Sequence, residues 1–96
     1  PFGQIVAFQA ERQYIRVHTR TESFLCTTTS LGAMETIAPN PPFLRVHRSF
    51  LANLREIRHI QVVSRNRYEL EMVNPRLAPI PISRRSLASF RLALGL

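Results

Sequence analysis

The chemistry this chain can offer is that of the guanidinium group. All thirteen basic residues are Arg, and all six acidic ones are Glu. Two stretches concentrate it: "VHRSFLAN", Val46 to Asn53, threads a His, an Arg, a Ser and an Asn through apolar residues, and "SRRS", Ser83 to Ser86, sets two Arg side by side. Arginine carries its donors in a rigid planar fork, suited to bidentate contact with a phosphate or with a guanine edge in the major groove. Groups for catalysis are scarce: there is no Asp, one Cys, three His, and only Gly3, Gly32 and Gly95, too scattered for a phosphate-binding loop. The chain is therefore not expected to be an enzyme or to hold a cofactor. A zinc site from Cys26, His18, His47 and His59 would need ligand pairs at spacings this sequence does not have. His18 and His59, each near an Arg on a strand, read as solvent-facing or hydrogen-bonded.

The arginines are unevenly spread. Up to residue 42, Arg12, Arg16 and Arg20 balance Glu11, Glu22 and Glu35; beyond it, ten Arg face Glu56, Glu69 and Glu71, so the whole net charge of +7 lies in the second half. A field of that kind on a small domain draws polyanions, of which nucleic acid is the commonest. The plainer alternative is a basic but idle surface.

In "SRRS", Ser83 reads as the N-cap of a helix, which puts Arg84 and Arg85 in its first turn. There the positive end of the macrodipole disfavours cations by ~0.3–1 kcal/mol each, so a pair of them asks for an anion. Otherwise the two side chains reach into water or back to Glu69 or Glu71. In "VHRSFLAN", strand alternation leaves Arg48 unexplained. If the strand ends near His47 and "SFLANL" forms a turn or short helix, Phe50, Leu51 and Leu54 pack inward, while Arg48 and Ser49 point outward at the join. Asn53 can read adenine, but Asn beside a turn more often bonds nearby backbone. His47 either orients the loop or touches a phosphate, with support the preferred role.

The elements that must carry these residues are mostly strands. "QIVAF" and "YIRVH", on either side of the turn-like "QAERQ", and then "SFLCTTT", have the alternation or β-branched content of strands. "SLGAMETIA" switches to helical spacing through Leu31, Met34 and Ile37 with Ala38, capped by Ser30 and stopped by "PNPP". "IRHIQVV" and "RYELEMV" form a hairpin through "SRN". In "LAPIPIS", Pro79 and Pro81 lose N–H groups on one side only, leaving Ile80 and Ile82 to donate on the other, which suits an edge strand. "SRRSLASFRLALGL" puts Leu87, Phe90 and Leu94 on one helical face and ends at Gly95.

Ninety-six residues suit one domain with one modest core. No apolar run approaches the roughly 20 residues of a membrane span, and the first residues lack a signal peptide. A soluble, cytoplasmic protein is expected, with Cys26 a reduced, buried thiol. The abrupt start without Met suggests a fragment cut from a longer protein, with any sensor, receiver or membrane part outside these residues.

At these residues the chain resembles the LytTR family of bacterial DNA-binding domains. "FLRVHRSFLANLREIRHI" is similar to the family's central motif, "IPISRR" to its closing one and "IVAFQAERQYIRVHT" to its opening one, while "SLGAMETIAP" occupies the place of its internal helix. The resemblance spans nearly the whole chain, residues 1–96, and implies small packed antiparallel sheets with one short internal helix and a C-terminal helix, a mostly-β fold that inserts loops into successive major grooves. It implies promoter DNA as partner, usually as paired direct repeats, with a homodimer on DNA, and the output role in a response regulator or two-component system. Carried over position by position, it puts base contacts on Arg12 or Gln13, on Arg48, and on Arg84 or Arg85. Backbone contacts or support fall to Arg45, His47, Ser49, Asn53, Arg55, Arg58, Arg65, Arg67 and Ser83. Ala52 stands where relatives more often have Val, and Gln13 where some have His.

Two other function classes stay open on the residues alone. A β-rich protein-interaction or ligand-sensing module would use the basic face for an acidic partner, and would show a deep apolar pocket and scattered basic loops. An RNA-binding module would need exposed aromatics, of which Tyr14 and Tyr68 are the main candidates.

Overall fold

Ile5–Glu11 (β1) alternates less than a half-buried strand should: Val6, Ala7 and Phe8 are all buried in succession. The reason is its place in the computed structural model, which describes residues 2–26 and 29–96. β1 is the middle strand of a five-stranded antiparallel sheet and has a packed layer on each face. The other strands are Tyr14–Thr19 (β2), Ser23–Cys26 (β3), Phe43–His47 (β4) and Phe50–Asn53 (β5), in the order β3-β2-β1-β5-β4. On one face Phe8, Ile15, Val17, Phe43 and Leu51 pack with Leu31 of the helix Leu31–Ile37 (α1) and with Ala38. On the other, Val6, Ala7, Val46 and Ala52 pack with Leu70, Met72, Ile80 and Phe90.

That second layer is a three-stranded antiparallel sheet, Ile57–Ser64 (β6), Arg67–Met72 (β7) and Ile80–Pro81 (β8), together with the helix Arg84–Leu94 (α2). β8 is an edge strand, as Pro79 just before it and Pro81 within it require, and the next N–H, that of Ile82, donates to the Tyr68 carbonyl at 3.1 Å. The β6–β7 hairpin turns at Arg65 and Asn66, with Asn66 left-handed at φ 59°. Both expected N-caps form: Ser30 accepts from the Ala33 N–H and Ser83 from the Ser86 N–H. Gly95, at φ 71°, terminates α2 by donating to the carbonyls of Arg91 and Leu92, a conformation that favours glycine.

Several expectations are corrected. "SFLANL" is neither a turn nor a short helix through its length: Phe50–Asn53 is a strand, and only Leu54–Glu56 forms a 3-10 turn. Its pattern hides a strand because Leu51 and Ala52 enter opposite cores. The turn "QAERQ" shrinks to Arg12 and Gln13, since Gln9 to Glu11 remain paired with β2. Ile37, expected on the buried face of α1, is 64% exposed; at 3.6 residues per turn it lies about 120° round the axis from buried Leu31. Cys26 is half-buried because β3 is an edge strand. The expected strand "SFLCTTT" is observed over Ser23–Cys26, and Thr27 and Thr28 lie outside the described residues.

Candidate nucleic-acid interface

Antiparallel pairing decides which turns meet. β1 ends at Glu11 and β5 begins at Phe50, and Gln9 pairs with Phe50, so the Arg12–Gln13 turn and the Arg48–Ser49 turn share one end of the five-stranded sheet. A bond of 2.8 Å from the Ala10 N–H to the Ser49 carbonyl joins them. The Ser83 N–H donates to the Val46 carbonyl at 2.9 Å, which brings the start of α2 to the same end. Three basic segments, far apart in sequence, thus adjoin.

Between the second and third lies a cleft of about 480 Å³ lined by Arg45, His47, Arg48, Ser83, Arg85 and Ser86. Arg12, Arg48, Arg84 and Arg85 are exposed. Among the described residues none of the four has a carboxylate within ion-pair distance, so the expected alternative of Arg84 or Arg85 reaching Glu69 or Glu71 is not realised. Arg12 takes a left-handed conformation, φ 58°, at the tip of its turn. That costs about 1 kcal/mol or more for a residue with a Cβ.

The Arg48–Ser49 turn is held from several sides. The Ser49 N–H donates to His47 Nδ1 at 3.0 Å, which puts the ring's own proton on Nε2, and the ring stacks edge-on against Phe50 at 5.9 Å. Arg45 donates from Nε to the His47 carbonyl at 3.0 Å, from one terminal nitrogen to the Arg48 carbonyl at 2.6 Å, and from the other to Glu35 of α1 at 2.7 Å. Ser83 caps α2 and its hydroxyl donates to Ser86 Oγ at 3.0 Å, so its oxygen is engaged in structure.

The remaining expected residues are not brought to this cluster. Asn53 is 2% exposed, donates to the Ile5 carbonyl at 2.9 Å and accepts from the Arg55 N–H at 3.0 Å. It is a backbone tie at the far end of β5, and Arg55 and Arg58 lie at that far end with it. Arg65 and Arg67 sit at the tip of the β6–β7 hairpin, which Arg91 ties to α2 by a 2.8 Å bond to Asn66 and by lying 5.6 Å over the Tyr68 ring.

Sequence reasoning missed the ties at the far end. Arg20 forms a two-pronged pair with buried Glu56, at 2.6 and 2.9 Å, and holds that carboxyl below its ordinary range by hydrogen bonding. Asn74 donates to the Thr19 carbonyl at 2.8 Å and accepts from the Arg76 N–H at 2.8 Å. The dipeptide Asn74-Pro75 signals that local turn; its partner 55 residues away has no local signal. His18, buried on β2, bonds Gln9 at 2.9 Å, and burial lowers its pKa. No helix among the described residues is long and apolar enough to cross a membrane.

Residues 1–95 match the family model described as the LytTr DNA-binding domain. The transcriptional regulatory protein BtsR of Escherichia coli K12 is 33% identical over 94 residues, which are 95% of this chain and 36% of that protein. The transcriptional regulatory protein YpdB of the same strain is 32% identical over 93 residues, with the same coverage. A solved LytTr DNA-binding domain from Bacillus cereus superposes with a TM-score of 0.88 at 27% identity, over all of this chain and 85% of that one. The chain thus spans about a third of the length of the curated relatives it matches.

Proposed function

This chain belongs to the LytTr DNA-binding domain family, and from that premise we propose that it recognises promoter DNA with the end of the sheet where its three basic segments adjoin. Arg48 and Arg85, which line one cleft, reach base edges in a major groove together with Arg84, and Arg12 and Gln13 reach bases from the neighbouring turn. Arg65 and Arg67, at the tip of the β6–β7 hairpin and outside the cluster, are candidate backbone contacts. The observation that carries this reading is the cleft: two exposed guanidiniums 37 residues apart, one from the Arg48–Ser49 turn and one from the start of α2, on hydrogen-bonded backbone and without a carboxylate partner among the described residues. Such a site has its donors free and aimed, which is what base readout needs.

The adjoining basic turns are the opposite of the scattered loops that a ligand-sensing module would show. The chain would act as the output domain of a transcriptional regulator in the cytoplasm, attached to a receiver, sensor or membrane part, and bind direct repeats as a pair of copies. Selecting bound duplexes from a random library tests it: a recurring motif is expected, with affinity that falls steeply with salt as phosphates are neutralised. Pools without any recurring motif would reduce the domain to a non-specific polyanion binder. Enrichment with RNA or single strands, at the expense of duplex, would move it to another class.

A further inference from the structure

We propose that Arg45 is a positioning residue for base readout: its guanidinium fixes the Arg48–Ser49 turn to α1 and so sets the aim of Arg48, without holding DNA itself. The inference rests on the reading of Arg48 given above. Sequence pattern makes Arg45 one more cation on a basic face. Its fork is instead spent inside the protein, on the carbonyls of His47 and Arg48 and on Glu35, at 3.0, 2.6 and 2.7 Å. Its side chain is 29% exposed, and the carboxylate of Glu35 neutralises its charge locally. The two carbonyls are those that flank and begin the turn, so their direction is tied to the plane of the guanidinium. Two more of the turn's backbone groups are bound, the Ser49 N–H to His47 Nδ1 and the Ser49 carbonyl to the Ala10 N–H. Arg45 alone among these ties reaches α1. A single ammonium could supply the charge but cannot bridge three acceptors in one plane.

The test uses Arg45→Lys, which keeps the charge and removes the fork, with Glu35→Gln as a milder variant that alters only the exposed anchor. Two quantities are read: hydrogen exchange of the Ser49 amide without DNA, and the ratio of affinities for a library-selected and a scrambled duplex, in wild type, Arg45→Lys, Arg48→Ala and the double variant. Exchange at Ser49 should quicken in Arg45→Lys, and the ratio should fall about tenfold while scrambled-duplex affinity stays within about twofold. Because Arg45 acts through Arg48, Arg45→Lys should lower the ratio no further in the Arg48→Ala background. Glu35→Gln should shift both readouts in the same direction by less, and it decides the matter if Arg45→Lys does not fold. Unchanged Ser49 exchange, an unchanged ratio, additive losses in the double variant, or equal losses on both duplexes would each overturn the proposal. If wild type itself shows no preference between the duplexes, the DNA-reading assignment falls and this inference with it, whereas a preference that survives both variants sinks this inference alone.

Discussion

The two ends of the five-stranded sheet treat the same kinds of residue in opposite ways. At the far end, Arg20 is paired with Glu56, Asn53 ties Ile5 to Arg55, and Asn74 ties Thr19 to Arg76, so that polar side chains finish the joint between the two sheets. At the near end, Arg12, Arg48, Arg84 and Arg85 are exposed and have no carboxylate partner among the described residues. Even there the backbone of the Arg48–Ser49 turn and of the start of α2 is tied, by Arg45, His47, Ser49 and Ser83. The difference teaches that a basic residue is informative when the fold has fixed its backbone and left its side chain without a partner. Nicely bonded arginines, such as Arg20 and Arg45, belong to the architecture.

Changes at the far end should alter stability and spare recognition, and changes at the near end should do the reverse. The largest effect is expected for Asn53→Ala, which removes a 2% exposed side chain and with it the part-buried bonds to the Ile5 carbonyl and the Arg55 N–H: a loss of about 3 kcal/mol in denaturant unfolding. Duplex preference of the folded fraction should be unchanged. Next, Arg48→Ala and Arg85→Ala should each lose about 1–3 kcal/mol on a selected duplex, and less on random DNA. Their unfolding midpoints should barely move, since each side chain is exposed. Equal losses on both duplexes would make them backbone contacts and blur the contrast between the ends.

A pH series sharpens the contrast further. Burial lowers the His18 pKa from the ordinary 6.5, with Arg16 adding to the effect and Glu11 opposing it. The unfolded chain therefore takes up that proton first, and stability should decline as pH falls below about 6.5. His18→Gln should flatten this part of the curve. Glu56, lowered by its bond to Arg20, stabilises above its ordinary 4.5 and should add a second loss as pH falls through the carboxylate range. The smallest effect is expected for Arg55→Ala, exposed at the far end: within about 0.5 kcal/mol in stability, and within about twofold in duplex affinity. A large affinity loss there would extend the interface to the end assigned to structure.

Much of the architecture was legible because it is local. Ser30, Ser83 and Gly95 mark helix ends by cap chemistry, and the pair Pro79 and Pro81 marks an edge strand by what it cannot donate. The candidate site was legible in part: Arg48 stood out because packing did not explain it, and Arg85 because a helix start disfavours it. What escaped notice depends on contacts between distant segments. β5 was misread because strands covered on both faces lose their alternation, as Leu51 and Ala52 do. The cleft between Arg48 and Arg85 exists only once the Ser83 N–H has found the Val46 carbonyl. The role of Arg45 requires knowing that the turn is two residues long, so that both carbonyls fall within reach of one fork.

The most direct test of which end meets DNA is an NMR titration of the domain with a library-selected duplex, following every backbone amide. The largest shifts are expected at Gln13, Arg48, Ser49, Arg84 and Arg85, with Arg20, Arg55, Arg58 and Asn74 nearly still. Shifts concentrated on that second group, with the three near-end segments unmoved, would contradict the account.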